Sequence, residues 1–177
     1  LVYTENDAPR AVSPSIAVSD VDHLTDPNLD SATVTISTGM RLGDVLAYPV
    51  TGSGVTAAYN ATSGALSMVG SVSVADWQAA LRSVTYSSSS EDPTGTQATA
   101  DRTVSFVISD GDLTSSAVTR TVTVTPVNDV PVLSDVEMGA LAYIENGNET
   151  VVSENITIID IDHLTDPNLD SATVTIS

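Results

Sequence analysis

The sequence predicts an all-β fold, a β-sandwich of about seven short strands with one short helical crossover, set in tandem repeats. Three observations predict it. Short segments rich in Val, Ile and Thr alternate apolar with polar residues, the period of a half-buried strand. Turn-forming Gly, Pro, Asn and Asp punctuate them regularly, as a sandwich requires. The chain also repeats itself: residues 163–177 read HLTDPNLDSATVTIS, the same fifteen letters as residues 23–37, at an offset of 140. The match continues upstream, where LVYTEN at 1–6 faces LAYIEN at 141–146, and Asp20-Val21-Asp22 faces Asp160-Ile161-Asp162. A fixed period marks an array of modules, and this chain reads as a window on a longer one.

The elements follow in order. Ile16-Ala17-Val18 and Val45-Leu46-Ala47-Tyr48 are short strand candidates. Residues 32–37 alternate Ala, Val and Ile with Thr and Ser, and residues 64–70 read as a strand bracketed by glycines. Val104, Phe106 and Ile108 share one strand face, and in 119–124 Val122 and Val124 point inward. Arg120 falls on that inward parity, which places it near a strand end or snorkelling to water. Residues 73–81 break the pattern. Val74, Trp77 and Leu81 lie on one helical face, with Ser73 and Asp76 as N-cap and partner. This predicts one or two helical turns, with Trp77 plugging the core.

Residues 87–101 lack apolar periodicity and read as a loop. Asp110-Gly111 signals a tight turn between the strands around Phe106 and Val122. Pro126 and Pro131 end the last strand, because proline cannot continue a ladder. The expected organisation is a complete module at 1–133, a linker at 134–140, and the first strands of a second, incomplete module at 141–177. Residues 38–177 would also span one period; the linker-like 126–131 favours the phase that begins at residue 1. The second part is too short to bury a core alone. It could pair with a neighbouring molecule, continue in a longer chain, or lie poorly ordered.

Charge narrows the function. Twenty-three acidic residues face five Arg and no Lys, a net charge of −18. Such a surface repels nucleic acid and anionic membranes. No apolar run approaches the ~18–20 residues of a membrane span. Cysteine is absent, so disulfides, thiolate metal sites and cysteine nucleophiles are excluded. There is no Gly-x-Ser-x-Gly elbow, phosphate-cradling loop or zinc signature. His23 and His163 lack partners that would make them catalytic, and aromatics are too few to stack a sugar beside a carboxylate pair. The chain is not expected to be an enzyme.

The acids gather in short motifs at strand ends, which favours a divalent cation over a merely solvating surface. Calcium takes six to eight oxygen ligands. In Asp-x-Asp alternate carboxylates point the same way, so Asp20 and Asp22 can converge on one ion, with Asn28 in the same loop. Asp110 and Asp112 repeat the arrangement, and Gly111 permits the turn. Four carboxylates meeting at one end would repel strongly without a cation between them. The plainer reading makes Asp20, Asp110 and Asn128 turn formers. Asp26, Asp30, Glu91 and Asp92 read as solvated loop charges.

In order, these motifs are Glu-Asn, Asp-x-Asp, a later Asp-Gly, and Asn128-Asp129-Val130-Pro131. The order resembles a cadherin-like, Ig-like Greek-key repeat. More narrowly it is similar to the repeats of bacterial repeats-in-toxin-type giant adhesins. Gly43-Asp44-Val45-Leu46, residues 77–86, Arg102-Thr103-Val104 and residues 122–131 fit that pattern. The resemblance implies Ca2+ at inter-module junctions. Glu5, Asn128, Asp129, Asp160 and Asp162 would form one junction site, and Glu145 would play the part of Glu5 at the next. Asp20, Asp22 and Asp110, with Asn28 assisting, would serve the preceding junction. Departures from the cadherin pattern imply fewer ions: Thr125 and Pro126 stand where the linker carries an early Asp, and Asp101-Arg102-Thr103 is an imperfect Asp-Arg-Glu.

The expectation is an extracellular structural or adhesive module of a secreted or cell-surface protein, stiffened by calcium. Its partners would be neighbouring repeats, with homotypic, host-protein or glycan contacts besides. The alternatives are a carbohydrate- or protein-binding module, with Tyr48 and Tyr59 as its aromatic contacts, or an accessory domain of a secreted enzyme.

Overall fold

The computed structural model describes residues 1–21, 27–95, 97–162 and 167–176. The chain forms two compact units, Leu1–Val127 and Asn128–Ser177.

The first unit is all-β and sandwich-like, with one helix. Among the described residues its strands are β1 (Val2–Thr4), β2 (Arg10–Ala11), β3 (Asn28–Thr38), β4 (Asp44–Ala47), β5 (Thr56–Asn60), β6 (Ala65–Ser73), β7 (Thr85–Ser88), β8 (Ala100–Ser109) and β9 (Val118–Thr125). Helix α1 (Val74–Arg82) joins β6 to β7. One sheet runs β1-β9-β8-β3-β6-β5 and the other β2-β7-β4. Val34, Leu66, Phe106 and Val122 from the first and Leu46 and Tyr86 from the second meet in one core. Each fully buried aliphatic side chain contributes about 1.5–3 kcal/mol.

The period-two pattern explains β3, β6, β8 and β9. In β3 the register shifts between Leu29 and Ser31, which lets both Leu29 and Ala32 face the core despite their odd spacing. Trp77 fixes this point: its indole N–H donates to the carbonyls of Leu29 (2.6 Å) and Gly70 (3.0 Å). Gly70 is required there, since a Cβ would lie 2.3 Å from the Gly54 carbonyl oxygen. The helix begins as the sequence predicts. The Ser73 hydroxyl accepts the Asp76 N–H at 3.2 Å and donates to the Asp76 carboxylate at 2.6 Å. Arg120 lies in β9 with an exposed side chain.

Several expectations need correction. Residues 16–18 form no strand: Ile16 N–H closes a turn on the Ser13 carbonyl, and α1 side chains take up part of the remaining main chain. Part of the expected 87–101 loop is strand, because Ser88 ends β7 and Ala100 and Asp101 begin β8. Ala100 pairs with Val124, which extends the ladder into a stretch without apolar periodicity. Asp30 lies within β3, not a loop. The short β1, β2, β5 and β7 bring the strand number above the expected seven.

In the second unit β10 (Val132–Ser134) pairs antiparallel with β11 (Thr157–Ile159). That pairing draws residues 128–134 into this unit, so the division falls after Val127, earlier than the expected 133. Most of its apolar side chains, including Leu141, Tyr143, Val152 and Val174, are exposed.

Candidate metal centre

Glu5 follows β1, which pairs in parallel with the end of β9, Tyr3 opposite Val124. The Glu5 N–H donates to the Thr125 carbonyl at 2.9 Å, and the Glu5 carboxylate accepts the Val127 N–H at 2.7 Å. Tyr3 anchors the strand from the core side. Its hydroxyl donates to the Asp7 carbonyl at 2.9 Å and accepts the Ser88 N–H at 3.2 Å. Its ring packs edge-on against Tyr86 at 5.1 Å. Asn6 adopts φ +66°, a left-handed turn that Asn tolerates, and the chain leaves Glu5 only 4% exposed.

Glu91 comes from the loop between β7 and β8. That loop is pinned at both sides. Ser89 N–H donates to the Gly43 carbonyl at 3.1 Å, and the Arg102 guanidinium donates to the Pro93 carbonyl at 2.7 Å. Asp92 accepts the Gly95 N–H at 2.6 Å, so it closes a turn rather than standing solvated. Arg102 is itself fully buried and ion-paired to Asp44 at 2.6 Å. Tyr86 donates to the same carboxylate at 2.6 Å. Burial first, and then this bond to Asp44, push the Tyr86 phenol well above its ordinary range.

Within the first unit, Glu5 and Glu91 each bring one carboxylate oxygen within 4.8 Å of the other. Glu5 is buried, Asp129 half-buried and Glu91 exposed. Asp129 Oδ2 is shut from solvent and makes no hydrogen bond among the described residues. Two carboxylates so close repel one another, and a cation relieves that repulsion. An all-oxygen set of this kind suits a hard divalent ion such as calcium and offers nothing to a thiophilic one. The group could therefore hold a metal ion.

The expected site residues are distributed as follows. Glu5 belongs to the carboxylate pair of the first unit, and Asp129 lies in the second unit. Within the second unit the Asp129 N–H donates to the Asp162 carboxylate, and the Asp162 N–H donates to Asp160 at 3.0 Å. These three therefore gather locally, and Asp162 is buried. Asn128 is exposed, its amide donating to the Asp129 carbonyl at 3.2 Å. Glu145 is exposed beside Asn146, which repeats the left-handed turn of Asn6 at φ +59°. Asp20 and Asp110 line one cleft of about 200 Å³, so their loops do lie at the same end.

Asp110 Oδ1 accepts the Asp112 and Leu113 N–H groups at 2.9 and 2.7 Å. Those bonds, Leu113 first, hold its carboxyl below the usual range and make it a turn former. Asp112 is exposed. Asn28 begins β3 opposite Ser73. Asp22, with His23, Asp26 and His163, lies outside the described residues. Glu91 is the member that sequence reasoning missed as a ligand; it is an exposed loop charge, as expected, and it stands beside Glu5. Its only signal was an acidic pair ahead of Pro93, far in sequence from Glu5.

No helix of the described residues is long and apolar enough to cross a membrane. Tyr48 and Tyr59, the candidate ligand aromatics, are half-buried, and their hydroxyls bond Ser53 Oγ at 2.6 Å and the Asp44 carbonyl at 2.9 Å. Compared with known proteins, the chain matches no family model, no curated protein and no solved structure.

Proposed function

We propose that the chain is a structural, adhesive repeat module of a secreted or cell-surface protein, and that calcium stiffens the connection between successive modules. The reading takes the chain to be of the cadherin-like kind found in repeats-in-toxin-type adhesins. The observation that carries it is the close Glu5–Glu91 carboxylate pair at the end of the first unit. The offset-140 repeat supports an array, and the −18 charge supports a dependence on cations. Within the second unit, the gathering of Asp129, Asp160 and Asp162 supports the same reading. The role is mechanical: an ion held by residues before and after the boundary limits bending there. Affinities of about 10⁻⁴–10⁻³ M suit a module that meets calcium outside the cell.

Thermal melting followed by Trp77 fluorescence tests this. At calcium ten- to a hundredfold above Kd, stabilisation is about 1.4–2.7 kcal/mol, which raises Tm by several degrees for a domain of this size. Glu91→Gln, at an exposed loop position, removes most of that rise and does not lower the melt in chelator, where it relieves the repulsion with Glu5. A calcium shift below ~2 °C in the unaltered chain sinks the proposal.

A further inference from the structure

In the first unit Glu5 and Glu91 both stand outside the strands, and like charges this close push each other apart. Something must hold them in place before an ion arrives. Residues 89–95, which carry Glu91, lie between β7 and β8 and belong to neither sheet. Local bonds shape them: the Ser90 N–H donates to Ser88 Oγ at 3.3 Å, and the Asp92 N–H to Ser90 Oγ at 3.2 Å. Such bonds curl the loop but do not fix where it sits.

The anchor lies beneath. Pro93 and Thr94 are buried, Thr94 completely. The Pro93 carbonyl, two residues after Glu91, accepts from Arg102 Nη2 at 2.7 Å. Arg102 is 0% exposed, and its Nε donates to Asp44 Oδ2 at 2.6 Å. Asp44 Oδ1 accepts the Tyr86 hydroxyl at 2.6 Å. The Tyr86 ring meets Tyr3 edge-on, and the Tyr3 hydroxyl accepts the Ser88 N–H at 3.2 Å. Tyr3 stands two residues before Glu5. One buried run of contacts thus joins the strand that leads to Glu5 and the loop that carries Glu91. Gly43 lets the loop approach: its φ is +94°, and a Cβ there would lie 2.8 Å from the Ser90 nitrogen.

We propose that Arg102, held by Asp44 and Tyr86, is a positioning residue for the Glu5–Glu91 cation site. It acts through the Pro93 carbonyl and not as a ligand. By fixing that carbonyl it keeps Glu91 within reach of Glu5 against their repulsion, so the site is organised before the cation binds. This rests on the calcium reading of that pair. The planar guanidinium suits the task because its fork reaches Asp44 and Pro93 at once, which a lysine ammonium does not reproduce. A buried ion pair is often no more stabilising than apolar residues of its size; a fixed loop gives this one a use.

The test titrates calcium chloride into the full 177-residue chain. It follows the amide shifts of Glu91 and of Val127, whose N–H bonds the Glu5 carboxylate. Arg102→Lys is expected to raise Kd about tenfold or more, as loss of a group that orients a ligand does. In chelator it also lowers the heteronuclear NOE of the Glu91 and Asp92 amides. Leu66→Ala, a buried change in β6, destabilises the fold and leaves Kd unchanged; a merely structural role for Arg102 predicts the same of Arg102→Lys. Tyr86→Phe keeps the ring against Tyr3, removes the bond to Asp44, and weakens calcium binding by a smaller factor. Unchanged Kd in Arg102→Lys, or in Tyr86→Phe should the lysine variant not fold, overturns the positioning role and leaves the calcium reading standing. No calcium response at either amide in the unaltered chain overturns both.

Discussion

Two motifs occur twice in this chain, and they behave differently. The Glu-Asn turn forms in both units. Asn6 and Asn146 share a left-handed backbone. The Asp7 N–H bonds the Thr4 carbonyl at 3.0 Å, as the Gly147 N–H bonds that of Ile144 at 2.8 Å. Tyr3 and Tyr143 each cap their turn through a carbonyl four residues on. The fifteen-residue repeat does not behave this way. Residues 28–37 lie in β3, a central strand between β8 and β6; residues 168–176 have the same letters and form no strand. Val34 is 0% exposed and Val174 87%. Leu29 is 4% exposed and Leu169 47%. A turn closes on its own residues. A strand takes its hydrogen bonds and its buried face from elsewhere, so its propensity is a statement about neighbours.

The largest test of this difference is a matched pair of substitutions. Val34→Asp places a carboxylate in a fully buried position without a partner. That costs about 5 kcal/mol or more, comparable to the whole stability of a domain. Val174→Asp changes the same letter in an exposed segment and stays within about 0.5 kcal/mol. Urea titration followed by Trp77 fluorescence separates the two. Equal losses would mean that residues 168–176 are as deeply paired as β3.

A smaller loss sharpens the point from inside the first unit. Arg102→Met leaves Asp44 buried with the Tyr86 hydroxyl and the Arg41 N–H (2.8 Å) but no cation. Removing one partner of a buried pair costs about 3–5 kcal/mol. Arg120→Met, at an exposed position of the neighbouring strand, costs less than about 0.5 kcal/mol. The readout is the midpoint of the same urea transition.

Those two arginines also mark how far the sequence could be read. Alternation revealed β3, β6, β8 and β9, and the Ser73–Asp76 cap revealed α1, because these signals lie within a few residues. Both arginines fall on inward parity. Arg120 escapes near a strand end, as snorkelling predicts; Arg102 stays inside, because Asp44, far away in sequence, meets it there. Parity cannot tell these cases apart without the partner. Glu91 was obscure for the same reason, since its neighbour Glu5 comes from the other end of the first unit. Residues 16–18 carried a sound strand pattern, with Ile16 and Val18 inward, and lacked only a strand to pair with.

The smallest expected effect concerns the second unit, where local contacts hold what order there is. The Glu137 carboxylate accepts the Ser153 hydroxyl, the Glu154 and Asn155 N–H groups at 3.1 Å each, and the Asn155 amide at 2.7 Å. The Ser153 bond, the largest influence, helps bring its pKa down to about 2. A carboxylate whose folded pKa is depressed stabilises above its unfolded value, and that stabilisation is lost as pH falls through the folded value. The clasp between residue 137 and residues 153–155 should therefore persist undiminished above about pH 4.5 and open as pH approaches about 2. Amide chemical shifts of Glu154 and Asn155 should titrate together with that low midpoint, and Glu137→Gln should remove the titration. If these amides instead titrate near pH 4.5, the clasp does not form in solution. The second unit would then lean on its turn at Asn146, the short β10–β11 ladder and the Asp129–Asp162–Asp160 bonds, and the contrast with the first unit would be sharper still.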